Sequence, residues 1–527
     1  MKKNAAVLMI IALICMAMLP GCSGNQVAKD LLAVNVGPDP DTIDPALNSS
    51  VDGATMIIHV FEGLMTLDEN GVPVAGQASS HDVSADGKVY TFHLRDDLKW
   101  SDGEPIKASD FIYAWNRAIS PDTAADYEYM FDVIDGYEDG ELNLVATDDK
   151  TLVVTLTTAV PYFLELTAFP TYAPVRQDLI ETNGEEWAIK PETYIGNGPY
   201  KVTEWVQGSH ILMEKNDKYW NYDALGTPKI KFVLMDDDNS ILNAFTQEEI
   251  LFADTLPNDE IESWRDKEEF NLSGQLGTYY VSFNVQKPPL NNPLVRKALL
   301  LAIDREYIVT NIGKAGQVPA GAFVPTGLTD ADPTKEFREV GGEYYDPTDY
   351  EGNLVLAKQA LVEAGYPNGQ GLPVMEYLYN TSTGHQAIAE ALQDMWSQIG
   401  VQVTLASQDW GTFLNTRKNG GYQIARNGWL CDYNDPISML DMWVTGGGNN
   451  DAQWSNAQYD ALIKQVKTSS DKETRFSLMH EAEDIIFAES MLAPIYYYVD
   501  IYLLSQKVEG FYASPLGYKY FMYATIK

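Results

Sequence analysis

The residues that could carry out metal-dependent or nucleophilic chemistry are scattered singly along this chain. Its six histidines are His59, His81, His93, His210, His385 and His480. No two of them have the spacing on one helix that a zinc site uses. His480-Glu481 begins a zincin-like motif, but Asp484 stands where that motif has its second histidine. We therefore predict no catalytic residue, no metal site and no cofactor.

Other catalytic motifs are also missing from the sequence. It contains neither the G-x-S-x-G turn of serine hydrolases nor the G-x-x-x-x-G-K-[ST] loop that holds phosphate groups. The acidic run Asp236-Asp237-Asp238-Asn239 lacks the glycine and the distal glutamate of a calcium loop. We interpret this run as a solvated turn and His480 as a residue on a helix surface. An unfamiliar enzyme stays open, because catalytic residues need not be contiguous in sequence.

The N-terminus has the parts of an export signal. It reads MKKNAAVLMIIALICMAMLPGCSGN, in which two lysines precede an apolar run from Ala5 to Leu19. The run is short for a bilayer span, which favours a cleaved signal peptide over a transmembrane helix. Leu19-Pro20-Gly21-Cys22 resembles a bacterial lipobox, which implies that Cys22 carries lipid and becomes the mature N-terminus. The alternative is an ordinary secretory signal that contains a cysteine.

Charge and cysteine content limit the possible partners. The formal net charge is −39, so a nucleic-acid backbone would be repelled at long range. Cys15 belongs to the signal and Cys22 would carry lipid, which leaves Cys431 without a disulfide partner. We predict a body that folds on its apolar core alone and is held at the extracytoplasmic face of the cell membrane by its lipid.

Helix and strand patterns alternate along the body of the chain. Apolar and polar residues alternate over 90–94, which predicts a strand. An apolar stripe at helical spacing covers 388–399, and Gly400 predicts the end of that helix. Ser470 and Glu473 have the spacing of a capping box, which predicts the start of another helix. Alternation of this kind is typical of α/β folds.

Five strings in the sequence resemble one protein family. They are DGKVYTFHLRDDLKWSDGEPIKASDFIYAW (86–115), GNGPYKVTEW (196–205), KNDKYW (215–220), TYYVSFNVQKPPLNNPLVRKALLLAIDRE (278–306) and TRKNGGYQIARNGWLCDYNDP (416–436). In this order they are similar to the substrate-binding lipoproteins of dipeptide and oligopeptide ABC importers. The resemblance runs from about residue 31 to the C-terminus.

The resemblance implies an α/β, bilobal fold of the type II periplasmic-binding-protein class, with a hinge and an extra inserted domain. The predicted divisions are 1–21 for the signal peptide, 22–61 with 186–283 and 499–527 for lobe I, 62–185 for the domain inserted in lobe I, and 284–498 for lobe II. The chain then crosses between the lobes near Phe283 and near Tyr498. Such a protein closes around its ligand by rigid-body rotation of the lobes.

A peptide zwitterion needs an acid for its ammonium, a base for its carboxylate and a strand edge for its amides. By the resemblance Asp432 pairs with the ammonium, and the alternative is a loop carboxylate that caps a turn. Gly428 and Trp429 then offer backbone groups to the peptide. The resemblance places the opposing backbone edge at Ser49, Ser50 and Val51. Turn capping is the alternative role for the two serines.

The resemblance also implies residues for the carboxylate of the peptide. Arg426 and His385 match positions that meet the C-termini of peptides of different lengths, and Arg417 lies in the same stretch. As alternatives, Arg417 is a surface base beside Lys418, and His385 faces solvent at a helix start. Position 313 is glycine where the family uses a lysine for longer peptides, so the preferred peptide length stays open.

Four aromatic residues match family positions around the ligand or its side-chain pockets. They are Tyr127, Tyr280, Trp410 and Tyr498. The alternative is ordinary core packing, because the chain has 31 tyrosines and 11 tryptophans and many of them must pack inside. In the string Tyr496-Tyr497-Tyr498, strand alternation predicts that Tyr497 points away from its neighbours.

The resulting prediction is a lipid-anchored receptor that binds oligopeptides between two lobes and delivers them to the permease subunits of an ABC importer. Its partners are then peptides, those subunits and the lipid bilayer, and the receptor is a monomer that binds no nucleic acid. The alternatives are a receptor for another solute, such as a nickel chelate, haem, an oligosaccharide or a signalling peptide, or a secreted hydrolase.

Overall fold

The structure of the protein, a computed structural model, describes residues 29–527. The predicted signal peptide and Cys22 lie outside this range. Within it, no helix is both long and apolar enough to cross a bilayer. Strands and helices alternate along the chain, and the predicted α/β class is confirmed.

The described chain forms strands of two to 14 residues. In chain order they are β1 (Leu31–Asn35), β2 (Met65–Leu67), β3 (Pro73–Ala75), β4 (Ala78–Val83), β5 (Val89–Leu94), β6 (Leu144–Asp148), β7 (Thr151–Thr155), β8 (Tyr200–Val206), β9 (His210–Lys215), β10 (Lys229–Val233), β11 (Phe252–Ala253), β12 (Phe270–Phe283), β13 (Val318–Pro319), β14 (Met375–Asn380), β15 (Val403–Gln408), β16 (Ile424–Leu430), β17 (Leu492–Leu504), β18 (Val508–Glu509), β19 (Tyr512–Ala513), β20 (Lys519–Tyr520) and β21 (Thr525–Ile526). The strand predicted over 90–94 is confirmed as β5, whose residues alternate between buried and half-buried.

The helices separate these strands along the chain. They are α1 (Val51–Val60), α2 (Ala108–Ala118), α3 (Phe163–Leu166), α4 (Gln177–Asn183), α5 (Asp238–Thr246), α6 (Ile261–Trp264), α7 (Pro293–Leu301), α8 (Arg305–Tyr307), α9 (Phe337–Gly341), α10 (Tyr350–Glu363), α11 (Thr383–Ser397), α12 (Trp410–Lys418), α13 (Ile437–Leu440), α14 (Ala457–Thr468) and α15 (Lys472–Ala488). The helix predicted over 388–399 is confirmed as α11. Gly400 follows its end with a φ of +83°, a conformation that glycine adopts without strain.

One large mixed sheet runs through the molecule. Its strand order is β15-β14-β16-β12-β17-β11-β1-β10-β9-β8, and β13 pairs with β17 beside this path. A separate antiparallel sheet of order β4-β5-β7-β6 lies in the segment predicted to be an inserted domain. Successive side chains of a strand point to opposite faces of its sheet. The apolar faces that result pack against helices.

The two longest strands lie side by side in the middle of the large sheet. β12 has 14 residues and β17 has 13, and they pair antiparallel. Their register shifts between Gly274 and Thr278. On one side of this pair the strands come from 375–430, and on the other side from 31–35 and 200–253. β12 and β17 are therefore the strands that connect these two halves of the sheet.

The tyrosine string in β17 alternates as predicted. The rings of Tyr496 and Tyr498 lie 5.7 Å apart. Tyr497 instead donates a hydrogen bond from its hydroxyl to Glu343 at 3.2 Å. The pleat of the strand sends successive side chains to opposite faces, and the predicted alternation is confirmed.

The predicted capping box at Ser470 is wrong by one residue. Helix α15 begins after Asp471, whose carboxylate accepts a hydrogen bond from the Thr474 N–H at 2.9 Å. Aspartate and serine are comparable N-caps, so the S-x-x-E spacing alone could not decide between two adjacent candidates. The helix itself is present as predicted.

Two residues interpreted as solvated are partly or fully covered. Asp238 is buried in the first turn of α5 and accepts a hydrogen bond from the Thr383 hydroxyl at 2.5 Å. His480 stacks on Phe337 with ring centroids 3.9 Å apart and pairs with Asp330 at 2.8 Å. Asp236, Asp237 and Asn239 are exposed, so the prediction for the acidic run is wrong only at Asp238. His480 lies on α15 as predicted but is half-buried, because contacts more than 100 residues away in sequence cover both side chains.

Candidate functional site

A cavity of about 510 Å³ lies between the two halves of the large sheet. Its walls come from the start of α1, the end of β16, the middle of β17 and the first turns of α11 and α12. Cavities of this size are typical of sites for small ligands. Every predicted ligand contact except Tyr280 lines this cavity.

Asp432 lies just beyond β16, where the strand end carries it into the cavity wall. The Tyr127 hydroxyl donates a hydrogen bond to its Oδ1 at 3.0 Å, and the Asp432 N–H donates to the Ser438 hydroxyl at 2.7 Å. The Ser438 hydroxyl also lies 3.4 Å from Oδ2 of Asp432, so two hydroxyls hold the carboxylate. No lysine or arginine among residues 29–527 pairs with it.

The electrostatic environment of Asp432 calls for a cation. Burial raises the pKa of this carboxyl well above its usual range, and the hydrogen bonds from Tyr127 and Ser438 only partly oppose the effect. A buried carboxylate is stable in its ionised form when a positive charge stands beside it. An ammonium group is a cation of the right size and hydrogen-bonding capacity for this position.

Arg426 lies on β16 and is a cation that lacks an anionic partner in the described chain. Its guanidinium carbon lies 5.3 Å from the ring centre of Tyr279 and 5.9 Å from that of Trp410, and its Nε is buried without a hydrogen-bond partner. Within the described part of the chain, no carboxylate forms an ion pair with it. Aromatic faces stabilise a guanidinium only partly, so this group suits an incoming carboxylate.

His385 stands beside Arg426 in the first turn of α11. Its Nδ1 lies 3.2 Å from the Tyr279 hydroxyl. Burial, and then the charge of Arg426, lower its pKa well below 6.5. The imidazole is therefore neutral at pH 7 and can offer a ligand a hydrogen bond, but no charge.

Arg417 lines the cavity, but its charge is already neutralised. Its Nε lies 3.1 Å from Oδ2 of Asp451, and its Nη1 donates to Oδ1 of Asn427. It is neither the surface base of the alternative nor a free partner for a ligand carboxylate. Lys418, its neighbour, reaches Asp126 at 2.7 Å.

The end of β16 presents an open strand edge. On one side β16 pairs with β12 along its whole length. On the other side its pairing with β14 stops at Ala425, so residues 426–430 have no strand partner on that edge in the described chain. Backbone groups of an unpaired edge can bind an extended peptide.

Gly428 is placed where a side chain would not fit. A Cβ at this position would lie 2.1 Å from the Tyr498 hydroxyl oxygen. Its N–H donates to Oδ1 of Asn427 at 2.8 Å. The next residue, Trp429, is held by a hydrogen bond from its Nε1 to the Ser438 carbonyl at 2.9 Å. The Tyr498 side chain, which reaches across β12 from β17, therefore leaves no room for a Cβ at this position.

The segment Ser49–Val51 lines the opposite wall. The Ser50 hydroxyl caps α1 by accepting from the Gly53 N–H at 3.4 Å, and the Ser50 carbonyl accepts from Asn48 Nδ2 at 2.9 Å. Turn capping, the alternative role, is thus what the Ser50 side chain does. The Ser49 and Val51 backbones stay beside the cavity.

The aromatic residues divide between wall and core. Tyr127, Trp410 and Tyr498 line the cavity. Tyr280 is completely buried behind the wall and packs edge-on against Phe323 at 5.3 Å and against Trp443 at 5.9 Å. Its predicted place beside the ligand is corrected to a core position, because alternation in β12 turns its ring away from the cavity.

Sequence reasoning missed a buried charge cluster in the wall of the cavity. Lys519 Nζ lies 2.8 Å from Asp500 and 3.2 Å from Asp254, and its side chain is only 2% exposed. Burial raises the pKa of Asp254 to about 7. The three residues carry no local motif and are brought together by β17, β20 and the end of β11. The described chain has no cluster of three or more metal-ligating side chains.

Comparison with known proteins agrees with this geometry. The family model described as bacterial extracellular solute-binding proteins, family 5 Middle, matches residues 72–451. The chain belongs to family 5 of the bacterial extracellular solute-binding proteins. The predicted family and the prediction of a binding protein instead of an enzyme are confirmed, and so is an extracytoplasmic location.

Curated relatives extend over almost the whole of this family 5 chain. The dipeptide-binding protein DppE of Bacillus subtilis is 35% identical over 522 residues, which is 95% of each chain. The oligopeptide-binding protein OppA of the same organism is 36% identical over 514 residues, which cover 95% of this chain and 93% of that protein.

Solved structures support the predicted type II binding-protein fold. Haemophilus influenzae OppA in complex with RPPGFSPFR superposes with a TM-score of 0.88 at 30% identity, over 94% of this chain and 99% of that one. The unliganded open form of the murein tripeptide-binding protein MppA reaches 0.62 at 30% identity, over 94% and 97%. The chain thus superposes better on this peptide complex of OppA than on the open form of MppA.

Proposed function

We propose that this protein captures peptides outside the cytoplasm and hands them to the membrane subunits of an ABC importer. One observation carries the proposal: the buried Asp432 and the half-buried Arg426, which have no counter-ion among residues 29–527, stand at the two ends of the open edge of β16. A peptide is the ligand that brings an ammonium, a carboxylate and amides in that order. Relatives named for dipeptide and oligopeptide binding support it.

The separation of the two charges bears on peptide length. Asp432 lies six positions after Arg426, which is roughly 20 Å of extended chain at about 3.3 Å per residue. The long arginine side chain shortens this span. We infer that peptides of about three to five residues fit with both termini paired, because their extended length falls within the remaining distance.

We further propose that the chain forms two lobes with an inserted domain, divided as the sequence predicted. β12 and β17 would then be the connections between the lobes. The register shift at Gly274–Thr278, opposite Tyr497–Val499, supports a hinge there, because interrupted pairing lets two strands bend together. This position is several residues before Phe283, the crossing predicted from sequence.

The membrane attachment belongs to the same proposal. We infer that the chain is anchored by lipid at Cys22 on the extracytoplasmic face of the cell membrane and acts as a monomer. The Leu-Pro-Gly-Cys string supports the anchor. A tethered receptor stays close to its permease, which raises the local concentration of captured peptide.

Mass spectrometry of the native protein tests the proposal. Protein purified without denaturation should carry peptides of three to five residues with free termini, and added peptides should be recovered intact. Cleaved peptides would instead indicate the secreted hydrolase. A nickel chelate, haem or sugar as the retained molecule would indicate a receptor for another solute.

A further inference from the structure

Outside the cavity, a separate set of contacts joins the predicted inserted domain to the predicted lobe II. We call it the clasp. Its members are Asp132, Tyr162 and Glu165 on the inserted side, and Tyr433, Asn434, Asp441 and Lys467 on the lobe II side. None of these residues lines the ligand cavity. The clasp therefore lies outside that cavity.

Lys467 is the charged centre of the clasp. Its Nζ lies 2.8 Å from Oδ2 of Asp132 and 3.2 Å from Oδ2 of Asp441, and its side chain is 10% exposed. Burial acts to lower the pKa of this amine, but the two carboxylates outweigh burial and raise the pKa overall. Lys467 is thus an ammonium shared between the two sides.

Apolar and backbone contacts surround this ion pair. The rings of Tyr162 and Tyr433 stack with centroids 4.8 Å apart and planes inclined by 10°. The Asn434 N–H donates to Oε2 of Glu165 at 2.7 Å. Both tyrosines are buried, so separating the two sides would expose their rings to water.

The division of the charges makes the clasp reversible. If the two sides move apart, Lys467 leaves Asp132 but keeps Asp441, which lies on its own side. Lys467 therefore keeps a counter-ion whether the two sides are together or apart. The Asp132 carboxylate becomes hydrated when they separate. An interface with two such arrangements is suited to switch between them.

We propose that the clasp holds the two lobes closed and sets the closed fraction of the protein independently of which peptide is bound. This rests on the two-lobe closure of the proposed function. Because apparent affinity scales with the fraction of binding-competent protein, loosening the clasp weakens all ligands by one common factor. A cavity residue that contacts the side chains of the peptide would instead affect different peptides differently.

The test uses Asp132→Asn in the full-length protein, which removes one charge and leaves the Lys467–Asp441 pair. We expect the Kd values of several unrelated tripeptides and tetrapeptides to rise by the same factor, about tenfold, in calorimetry. The matched control is Lys464→Met, which breaks an exposed pair with Glu138 in the same region and should leave Kd within about twofold.

A distance measurement makes the test independent of peptide binding. Spin labels at Val145→Cys and Val355→Cys, both exposed positions, report the separation of the two sides. Asp132→Asn should shift the ligand-free distribution to longer distances, and Lys464→Met should not. Tyr162→Leu, which removes the stack on Tyr433, should shift it in the same direction if Asp132→Asn does not fold.

The results separate failure of the clasp from failure of the proposed function. If the wild type binds no peptide, the proposed function fails, and the label distances still test the clasp. Unchanged distances together with unchanged Kd values would overturn the clasp. Changes in Kd that differ more than about threefold between peptides would also overturn it, since they would assign Asp132 an effect on the ligand itself.

Discussion

At the scale of single residues, the site depends on charges that the protein leaves uncompensated. Asp432 is held by Tyr127 and Ser438 but has no cationic partner in 29–527. Arg426 is covered by aromatic rings but has no anionic partner in the same range. Leaving either charge buried is unfavourable, so ligand termini of opposite charge stabilise both.

Asp432→Ala is expected to weaken peptide binding by about 3–5 kcal/mol, because it leaves the buried ammonium of the peptide unpaired. Calorimetry with a free and an N-acetylated tripeptide checks the cause. The acetylated peptide should lose a comparable amount on the unaltered protein. Asp41→Ala, an exposed carboxylate at the cavity rim, is the control. Equal binding of the free and acetylated peptides would contradict the zwitterion model of the ligand.

Peptide binding should also depend on pH through Asp432. Its pKa is raised by burial in the ligand-free protein, whereas an ammonium beside it favours the ionised form. Binding then releases a proton, so affinity rises with pH until the ligand-free pKa is passed. Calorimetry in buffers of different ionisation enthalpy measures the release. Asp432→Asn should abolish this proton release. If the wild type released no proton on binding at any pH, Asp432 would not be the residue that pairs with the peptide ammonium.

At the scale of elements, the unpaired edge of β16 decides how sequence-tolerant the receptor is. Replacing one interior peptide bond of the ligand by an ester removes one amide donor and should cost about 1 kcal/mol or more. A change from alanine to lysine in the ligand should cost less, because main-chain pairing ignores side chains. Calorimetry on tripeptides to pentapeptides decides this. A hundredfold dependence on side chain without an ester penalty would indicate a selective receptor.

The contact between Gly428 of β16 and the Tyr498 side chain of β17 predicts a steric effect. Gly428→Ala places a methyl group 2.1 Å from the Tyr498 hydroxyl oxygen, so the tyrosine side chain must move away from its place in the cavity wall. We expect peptide affinity to fall at least tenfold and the melting temperature to drop by a few degrees. The double variant Gly428→Ala with Tyr498→Ala removes the clash and should recover much of the lost stability. No recovery would show that the glycine acts through its backbone alone.

At the scale of the whole molecule, attachment and binding should be separable. Cys22→Ala is expected to release the protein from the membrane fraction while its body folds and binds peptides unchanged, because the predicted acyl chains are attached at that residue alone. Fractionation followed by calorimetry checks both parts. A Cys22→Ala protein that stays with the membrane would contradict the lipid anchor.

The sequence by itself determined the local elements and the family. The strand over 90–94 and the helix ending before Gly400 were predictable because periods of 2 and 3.6 are written in neighbouring residues. Counting cysteines left Cys431 without a predicted disulfide partner, and in the described residues Cys431 is a buried free thiol. Asp432 and Arg426 could be proposed for the site because they lie in one continuous string that resembles the family.

Only the tertiary structure decided which charges stay free. Arg417 is neutralised by Asp451, and Tyr280 is turned into the core, although both lie on strings that resemble the family. The contacts of Lys519 with Asp254 and of Lys467 with Asp132 join residues more than 260 positions apart. Such pairings depend on strand order and on how separate segments pack, and no short-range period in a sequence encodes either.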